Sequence, residues 1–308
     1  MIVVPDDFPS VFEGSAAHER ARALGELRIH SDRGAEDETE LARRIGAARV
    51  AVNIRAYARF TEAVFRACPD LRMISIWGTG TDNIDLAAAT RHGVTVCNTP
   101  GVNAHAVAEH AIALMLAVAR RIPQIDREMK GGGWPRDMLI QLWGKTLAVF
   151  GTGSIGTRVA VLARGLGMEA LTWSARRDTR AAKDDLLRRA DFVTLHVRLT
   201  PETRSFIGQR EFGLMKPGAI LVNTGRGALV DRDALLAALT AGKLTGAGLD
   251  VFHEEPLKPG DPLLACDNAV LSPHNAGQTP EVRRDGLLRV IENVENYLSG
   301  KPTGIVGA

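Results

Sequence analysis

Short, uninterrupted apolar runs recur along the whole chain, separated by stretches whose apolar positions fall three and four residues apart. In the first third the runs are Ile2–Val4, Leu27–His30, Arg49–Ile54, Leu71–Trp77 and Val94–Asn98, with helical patterns around Ala16–Leu24, Glu38–Ile45 and Thr61–Ala67 between them. Strand, helix, strand in repetition predicts a parallel sheet covered by helices on both faces. The pattern resumes with stronger runs at Thr146–Phe150, Glu169–Trp173, Phe192–His196, Ala219–Asn223, Gly246–Val251 and Ala269–Ser272. These are apolar throughout rather than alternating, as strands buried on both faces are. The expected fold class is therefore α/β, with two doubly wound parallel sheets.

Thr99-Pro100-Gly101 interrupts regular structure between the two series. A helix is expected over Ala104–Arg121, and another over Glu281–Leu298 after Pro280. At 308 residues the chain exceeds a single compact core and accommodates two domains. Hydrophobic residues make up 45%, too many for a disordered chain. The 38 basic residues are balanced by 36 acidic ones, which argues against a nucleic-acid partner. Cys68, Cys97 and Cys266 are few, odd in number and widely spaced. They read as three buried small hydrophobes in a reducing compartment, with no metal site. The first ten residues lack the basic start and apolar core of a signal peptide, and Ala104–Ala119 is too short and polar to span a bilayer. A cytoplasmic protein with no membrane partner is expected.

Strand Thr146–Phe150 is followed by Gly151-Thr-Gly153-Ser-Ile-Gly156 and then a helical pattern over Thr157–Gly165. A GxGxxG between strand and helix has a mechanism: Gly151 permits the tight turn, Gly153 lets backbone approach a pyrophosphate, and Gly156 lets helix and strand pack closely. The amides of Ser154 and Ile155 would face the phosphates at the helix N-terminus. After the next strand, Ser174 occupies the place where an NAD site commonly carries the carboxylate for the ribose 2′-hydroxyl, and Arg176 and Arg177 follow it. Serine with two guanidinium groups suits a 2′-phosphate, so NADP is expected to be preferred over NAD.

Three segments at later strand ends carry further chemistry: Asn223-Thr-Gly-Arg226-Gly227, Asp250-Val-Phe-His-Glu-Glu255-Pro256 and Ser272-Pro-His274-Asn-Ala-Gly277. An arginine fork suits a carboxylate, a histidine can carry a proton to a carbonyl oxygen, and a carboxylate beside that histidine would hold its tautomer and raise its pKa. Spacing alone does not bring Arg226, Glu255 and His274 together.

Taken in order, Gly78-Thr-Gly-Thr-Asp-Asn-Ile-Asp85, Asn98–Gly101, Val107-Ala-Glu-His110, Gly151–Gly156, His196–Thr203, Met215–Gly218, Asn223–Gly227, Asp250–Pro256 and Ser272–Gly277 resemble the motifs of the D-isomer-specific 2-hydroxyacid dehydrogenase family over nearly the whole chain. The resemblance implies a substrate-binding, flavodoxin-like domain over residues 1–98, completed by residues 281–308. It implies a Rossmann cofactor domain over 99–280 and a cleft that closes between them. The implied activity is hydride transfer between NAD(P)H and a small 2-keto acid of the glyoxylate or hydroxypyruvate type. By motif, Arg226 binds the substrate, His274 donates the proton and Glu255 supports His274. Asp250 is implied to reach the nicotinamide. His196, Thr203, Thr224 and Ala276 would join the cofactor contacts, and the backbone of Gly78, Thr79 and Gly80 would hold the substrate carboxylate. A homodimer is also implied.

Ile76 lies where members acting on 3-phosphoglycerate tend to carry arginine, whereas Arg55 resembles another anion contact of those members. A 3-phosphoglycerate dehydrogenase is thus a rival reading. Formate dehydrogenases of similar fold resemble a pattern with glutamine in place of Glu255. A rival of another class is a dinucleotide-sensing corepressor, which would bind cofactor without turnover.

Overall fold

The computed structural model describes residues 1–54 and 57–307. The chain divides into two compact units, Met1–Asn103 with Gln278–Ala308, and Ala104–Gly277. Each is built on one parallel sheet.

In the first unit the order is β1 (Ile2–Val4), α1 (Ala16–Arg22), β2 (Leu27–Ile29), α2 (Glu38–Ile45), β3 (Val50–Asn53), α3 (Glu62–Ala67), β4 (Met73–Ile76), α4 (Leu86–Arg91) and β5 (Thr95–Cys97). The strands lie side by side as β2-β1-β3-β4-β5, the flavodoxin-like order. β1, β3 and β4 are buried at every position, which explains their unbroken apolar runs. Leu41, Ile45, Phe65 and Ile74 fill one side of the sheet, and Val4, Phe12, Val52 and Met73 fill the other.

The second unit runs α5 (Ala104–Ala119), α6 (Ile122–Lys130), β6 (Thr146–Phe150), α7 (Ser154–Gly165), β7 (Glu169–Trp173), α8 (Arg180–Arg189), β8 (Phe192–Leu195), α9 (Gln209–Leu214), β9 (Ala219–Asn223), α10 (Arg232–Thr240), β10 (Leu244–Leu249) and β11 (Ala269–Leu271). Its sheet order is β11-β10-β9-β8-β6-β7, so the direction of winding reverses between β6 and β8. The last helix, α11 (Pro280–Leu298), belongs to the first unit. There Leu287, Val290, Ile291 and Val294 join Val4 and Met73 in one apolar cluster. Among the described residues no helix is long and apolar enough to cross a membrane.

Two expectations need correction. The helix expected over Ala104–Arg121 stops at Ala119, because Arg121 takes a left-handed φ of 49° and Pro123 opens a second helix. Proline at the start of a helix lacks the N–H that continuing the first would require. Cys266 is only partly buried, unlike Cys68 and Cys97, because it caps a surface 3-10 turn over Pro262–Ala265.

Candidate active site

Strand register in the second unit aligns the chemistry-bearing positions. Phe150 pairs with Trp173 and Leu195, Leu195 with Asn223, Asn223 with Leu249, and Leu249 with Leu271. The residue after each lies one step past the carboxyl edge of the sheet. Across the sheet these are Ser174, Gly151, His196, Thr224, Asp250 and Ser272. Five inter-strand spacings of ~4.8 Å make this line roughly 24 Å long. Ligands of open α/β sheets bind along such an edge, at the reversal of winding, which here falls between Gly151 and His196.

The glycine loop is fixed by contacts that exclude a side chain. A Cβ on Gly156 would lie 1.8 Å from the Gly151 carbonyl oxygen, and one on Gly151 would lie 2.4 Å from the His196 carbonyl oxygen. Gly151 also holds a φ of +108°. Around Gly153 a Cβ would meet nothing within 4 Å, so the space outside it is open to a ligand. α7 starts at Ser154, three residues earlier than the expected start at Thr157, so its first turn is built from the motif itself. The amides of Ser154, Ile155 and Gly156 therefore belong to the first turn, whose N–H groups have no intrahelical partner. A cavity of about 620 Å³ opens beside this loop, between Thr152, Gly153 and Ser154 and the α5 residues His105 and Glu109. Farther along the edge, the buried Thr224 hydroxyl has no hydrogen-bond partner among the described residues. An open approach to Gly153, unpaired amides on a helix N-terminus and an orphan hydroxyl fit a bound dinucleotide.

Burial pushes the His196 imidazole down to about 4, so it is neutral at physiological pH. Its Nε2 shares a 2.9 Å hydrogen bond with Thr194. The Thr203 hydroxyl donates to the Arg198 carbonyl and accepts the Thr200 amide, holding the turn after β8. At the outer end of the line, Arg177 reaches the Thr152 hydroxyl at 3.2 Å, and Arg176 is exposed. Sequence reasoning misses Asp178, whose carboxylate accepts the Ser174 amide at 2.7 Å.

At the other end the structure brings Arg226, Glu255 and His274 together. His274 Nδ1 and Glu255 Oε2 are 2.7 Å apart, and Glu255 Oε1 accepts the Phe252 amide at 2.9 Å. Burial opposes the Glu255 charge. The His274 hydrogen bond, the Phe252 amide and the positive charges of His274 and Arg226 outweigh it and hold the carboxyl below its usual range. An ionised carboxylate only accepts, so Nδ1 carries the proton and Nε2 is the ring atom left to face a substrate. Two further residues shape this corner. Asn223, buried at the end of β9, donates to the Arg226 carbonyl and accepts the Gly225 amide, closing the turn that presents Arg226. A Cβ on Gly227 would lie 2.0 Å from the Phe252 carbonyl carbon, so the loop carrying Glu255 rests directly on the loop carrying Arg226.

His274 has a φ of +52°, a left-handed conformation that costs a non-glycine residue roughly 1–2 kcal/mol. Asp250 holds the segment there. It is 1% exposed. Its carboxylate accepts the Ser272 hydroxyl at 2.6 Å and the Asn275 and Ala276 amides at 3.0 Å each. The nicotinamide contact expected of Asp250 thus competes with three internal ones.

In the first unit, the Gly78 amide is bonded to the Thr99 hydroxyl at 2.8 Å, a contact that a carboxylate bound there would have to share. The Thr79 carbonyl accepts the Asn98 side chain, and Gly80 is half-buried. Arg55 lies outside the described residues. Ile76 is buried, and Trp77 sits against Gly286, where a Cβ would come within 2.2 Å of the indole nitrogen.

The family model described as D-isomer specific 2-hydroxyacid dehydrogenase, NAD binding domain, matches residues 112–276. A glyoxylate reductase of Aeropyrum pernix is 44% identical over 251 residues, covering 76% of this chain and 75% of its own. A D-3-phosphoglycerate dehydrogenase of Archaeoglobus fulgidus is 41% identical over 82% of this chain, which spans about half of that longer relative. A solved acyclic imino acid reductase in complex with NADPH and D-Arg superposes with a TM-score of 0.91 at 27% identity, covering 99% of both chains. With its glycine loop and its arginine, glutamate and histidine on one sheet edge, this chain belongs to the D-isomer-specific 2-hydroxyacid dehydrogenase family, whose NAD-binding domain it carries.

Proposed function

We propose that the chain reversibly reduces a small, unphosphorylated 2-keto acid of the glyoxylate or hydroxypyruvate type to the D-2-hydroxy acid, with NADPH preferred over NADH. The observation that carries this reading is the Glu255–His274 pair at 2.7 Å, with the Arg226 charge acting on the same carboxylate. A bound nicotinamide dinucleotide supplies the hydride in reduction and accepts it in oxidation. Gly151, Gly153 and Gly156 with the Ser154 and Ile155 amides would hold its pyrophosphate, while His196, Thr203, Thr224 and Ala276 would line its path along the sheet edge.

Arg226 binds the substrate carboxylate and polarises the carbonyl, as a planar guanidinium does. His274 donates its Nε2 proton to the carbonyl oxygen as that oxygen gains charge, and takes a proton back from the hydroxyl in oxidation. Glu255 stabilises the charged ring and fixes Nδ1 as its donor.

Ser174 and the reach of Arg177 toward Thr152 favour NADPH, as does the NADPH in the imino acid reductase. Asp178 beside Ser174 pulls the other way. A second reading, 3-phosphoglycerate dehydrogenase, is favoured by the Archaeoglobus relative, while the buried apolar Ile76 speaks against a phosphate-bearing substrate. We infer a cytoplasmic homodimer: Cys68, Cys97 and Cys266 are free thiols, and Trp134, Met138 and Trp143 are large apolar side chains left exposed on the second unit.

The test follows nicotinamide absorbance with glyoxylate, hydroxypyruvate, pyruvate and phosphohydroxypyruvate, each with NADPH and NADH. NADPH oxidation with an unphosphorylated acid, reduced about 10²–10⁴-fold in His274→Ala, is the expected result. Turnover of phosphohydroxypyruvate alone would select the second reading. Tight cofactor binding without turnover would overturn both in favour of a sensor.

A further inference from the structure

α5 lies along β10 in a register set by two glycines. A Cβ on Gly246 would come within 2.7 Å of Val118 Cγ1, and one on Gly248 within 2.8 Å of Leu114 Cβ. Positions 246, 248 and 250 share one side of the strand, and 118, 114 and 110 fall four apart on one face of the helix. The same step carried once more brings His110 to Asp250. There His110 Nε2 lies 2.8 Å from the Ser272 hydroxyl and 3.5 Å from Asp250 Oδ1.

The direction of these bonds comes from proton counting. The Ser272 hydroxyl donates its one proton to Asp250 Oδ1 at 2.6 Å. It must therefore accept from His110, which carries a proton on Nε2. Asp250 in turn accepts the amides of Asn275 and Ala276, the two residues that follow His274. A continuous chain of hydrogen bonds thus runs from the body of α5, through the Ser272 hydroxyl, to the backbone immediately after His274, whose φ is +52°. A proton donor displaced by even 1 Å loses much of its rate advantage.

We propose that His110, acting through Ser272 and Asp250, is a positioning residue that sets the backbone of His274 for proton transfer. This rests on the reading of His274 as the proton donor. His110 touches neither substrate nor cofactor in this role, so its loss acts on kcat rather than on cofactor affinity.

The experiment measures kcat, KM for the keto acid and Kd for NADPH in His110→Phe, Ser272→Ala and Ser272→Thr. Ser272→Ala removes one oxygen and leaves the packing of α5 intact. The expected result is a fall in kcat of about tenfold in the first two with NADPH Kd within about twofold, and most of the rate retained in Ser272→Thr, which keeps the hydroxyl. A folded Ser272→Ala protein with wild-type kcat would overturn the proposal. If the wild-type protein binds NADPH but reduces no keto acid, the functional reading has failed, and positioning is then read from the imidazole nitrogen resonances of His274. A change in its Nδ1 signal in Ser272→Ala supports the proposal, and an unchanged signal overturns it.

Discussion

The tripeptide Gly-Thr-Gly occurs twice, at 78–80 and at 151–153, each time just past a buried parallel strand. The two copies do different things. After Gly153 the chain enters α7 at once, and the turn is locked by backbone approaches that leave no room for a side chain at Gly151 or Gly156. After Gly80 no helix forms until Leu86; the chain makes a parallel bridge between Ile84 and Phe60, and the turn is tied by the side chains of Thr99 and Asn98. A Cβ at Gly78 would meet nothing within 4 Å. The short motif therefore specifies only the turn. The residues on its C-terminal side decide the rest: Ser154-Ile155-Gly156 lets a helix abut the strand, whereas Thr81-Asp82-Asn83 does not.

Substitutions separate the two loops most sharply where the steric difference is largest. Gly156→Ala is expected to destabilise the second unit by about 3 kcal/mol or more, since its Cβ would lie 1.8 Å from a carbonyl oxygen. Thermal unfolding and soluble yield measure this, and a wild-type melting temperature would show that the loop is held by something else. Gly153→Ala should leave the melting temperature unchanged, because space around it is open, yet weaken NADPH binding by at least about tenfold through loss of close backbone approach. Equilibrium fluorescence titration decides it, and unaltered affinity would mean that the pyrophosphate does not sit there. Gly78→Ala should cost only about 1–2 kcal/mol, from its φ of +131° alone, with NADPH affinity intact. Denaturant titration of the variant against wild type provides the check.

The last prediction is a pH dependence. His196 takes up its proton near 4 when folded and at its ordinary 6.5 when unfolded, so its folded pKa is depressed. Below 6.5 the unfolded chain binds a proton that the folded chain refuses. Stability should therefore decline as pH falls from 6.5 to about 4, with no contribution from this group above that window. His196→Gln should flatten the decline, measured as denaturation midpoint against pH. An equal slope in both proteins would locate the sensitivity in carboxylates instead.

Much of the fold is legible in the sequence because parallel strands buried on both faces write continuous apolar runs. The break at Arg121 is not, because apolar spacing continues across it and only the left-handed turn before Pro123 divides the helix. The glycine loop is legible because its glycines are sterically required. Arg226, Glu255 and His274 are named by their motifs, but their meeting depends on the register of β9, β10 and β11, which no spacing along the chain reveals. Asn223, His110 and Asp178 act through contacts made only in the folded sheet, and Asp178 sits four residues past the position where a ribose carboxylate is sought. The Gly78 amide shows the converse: a backbone group can match a motif while its hydrogen bond goes to a residue 21 positions away.

The return of α11 to the first unit bears on how the protein is made. Ser75 donates to the Val290 carbonyl inside that unit's core, 215 residues apart in sequence. On the ribosome, β1 to β5 emerge first but cannot seal their apolar face until Leu287 to Val294 have been synthesised. The second unit, contiguous from Ala104 to Gly277, can complete its own core before α11 arrives. The strands β1 to β5, made before the second unit, are thus finished after it. During that interval Val4, Val52 and Met73 face solvent or a chaperone, making the first unit the more aggregation-prone half of the nascent chain.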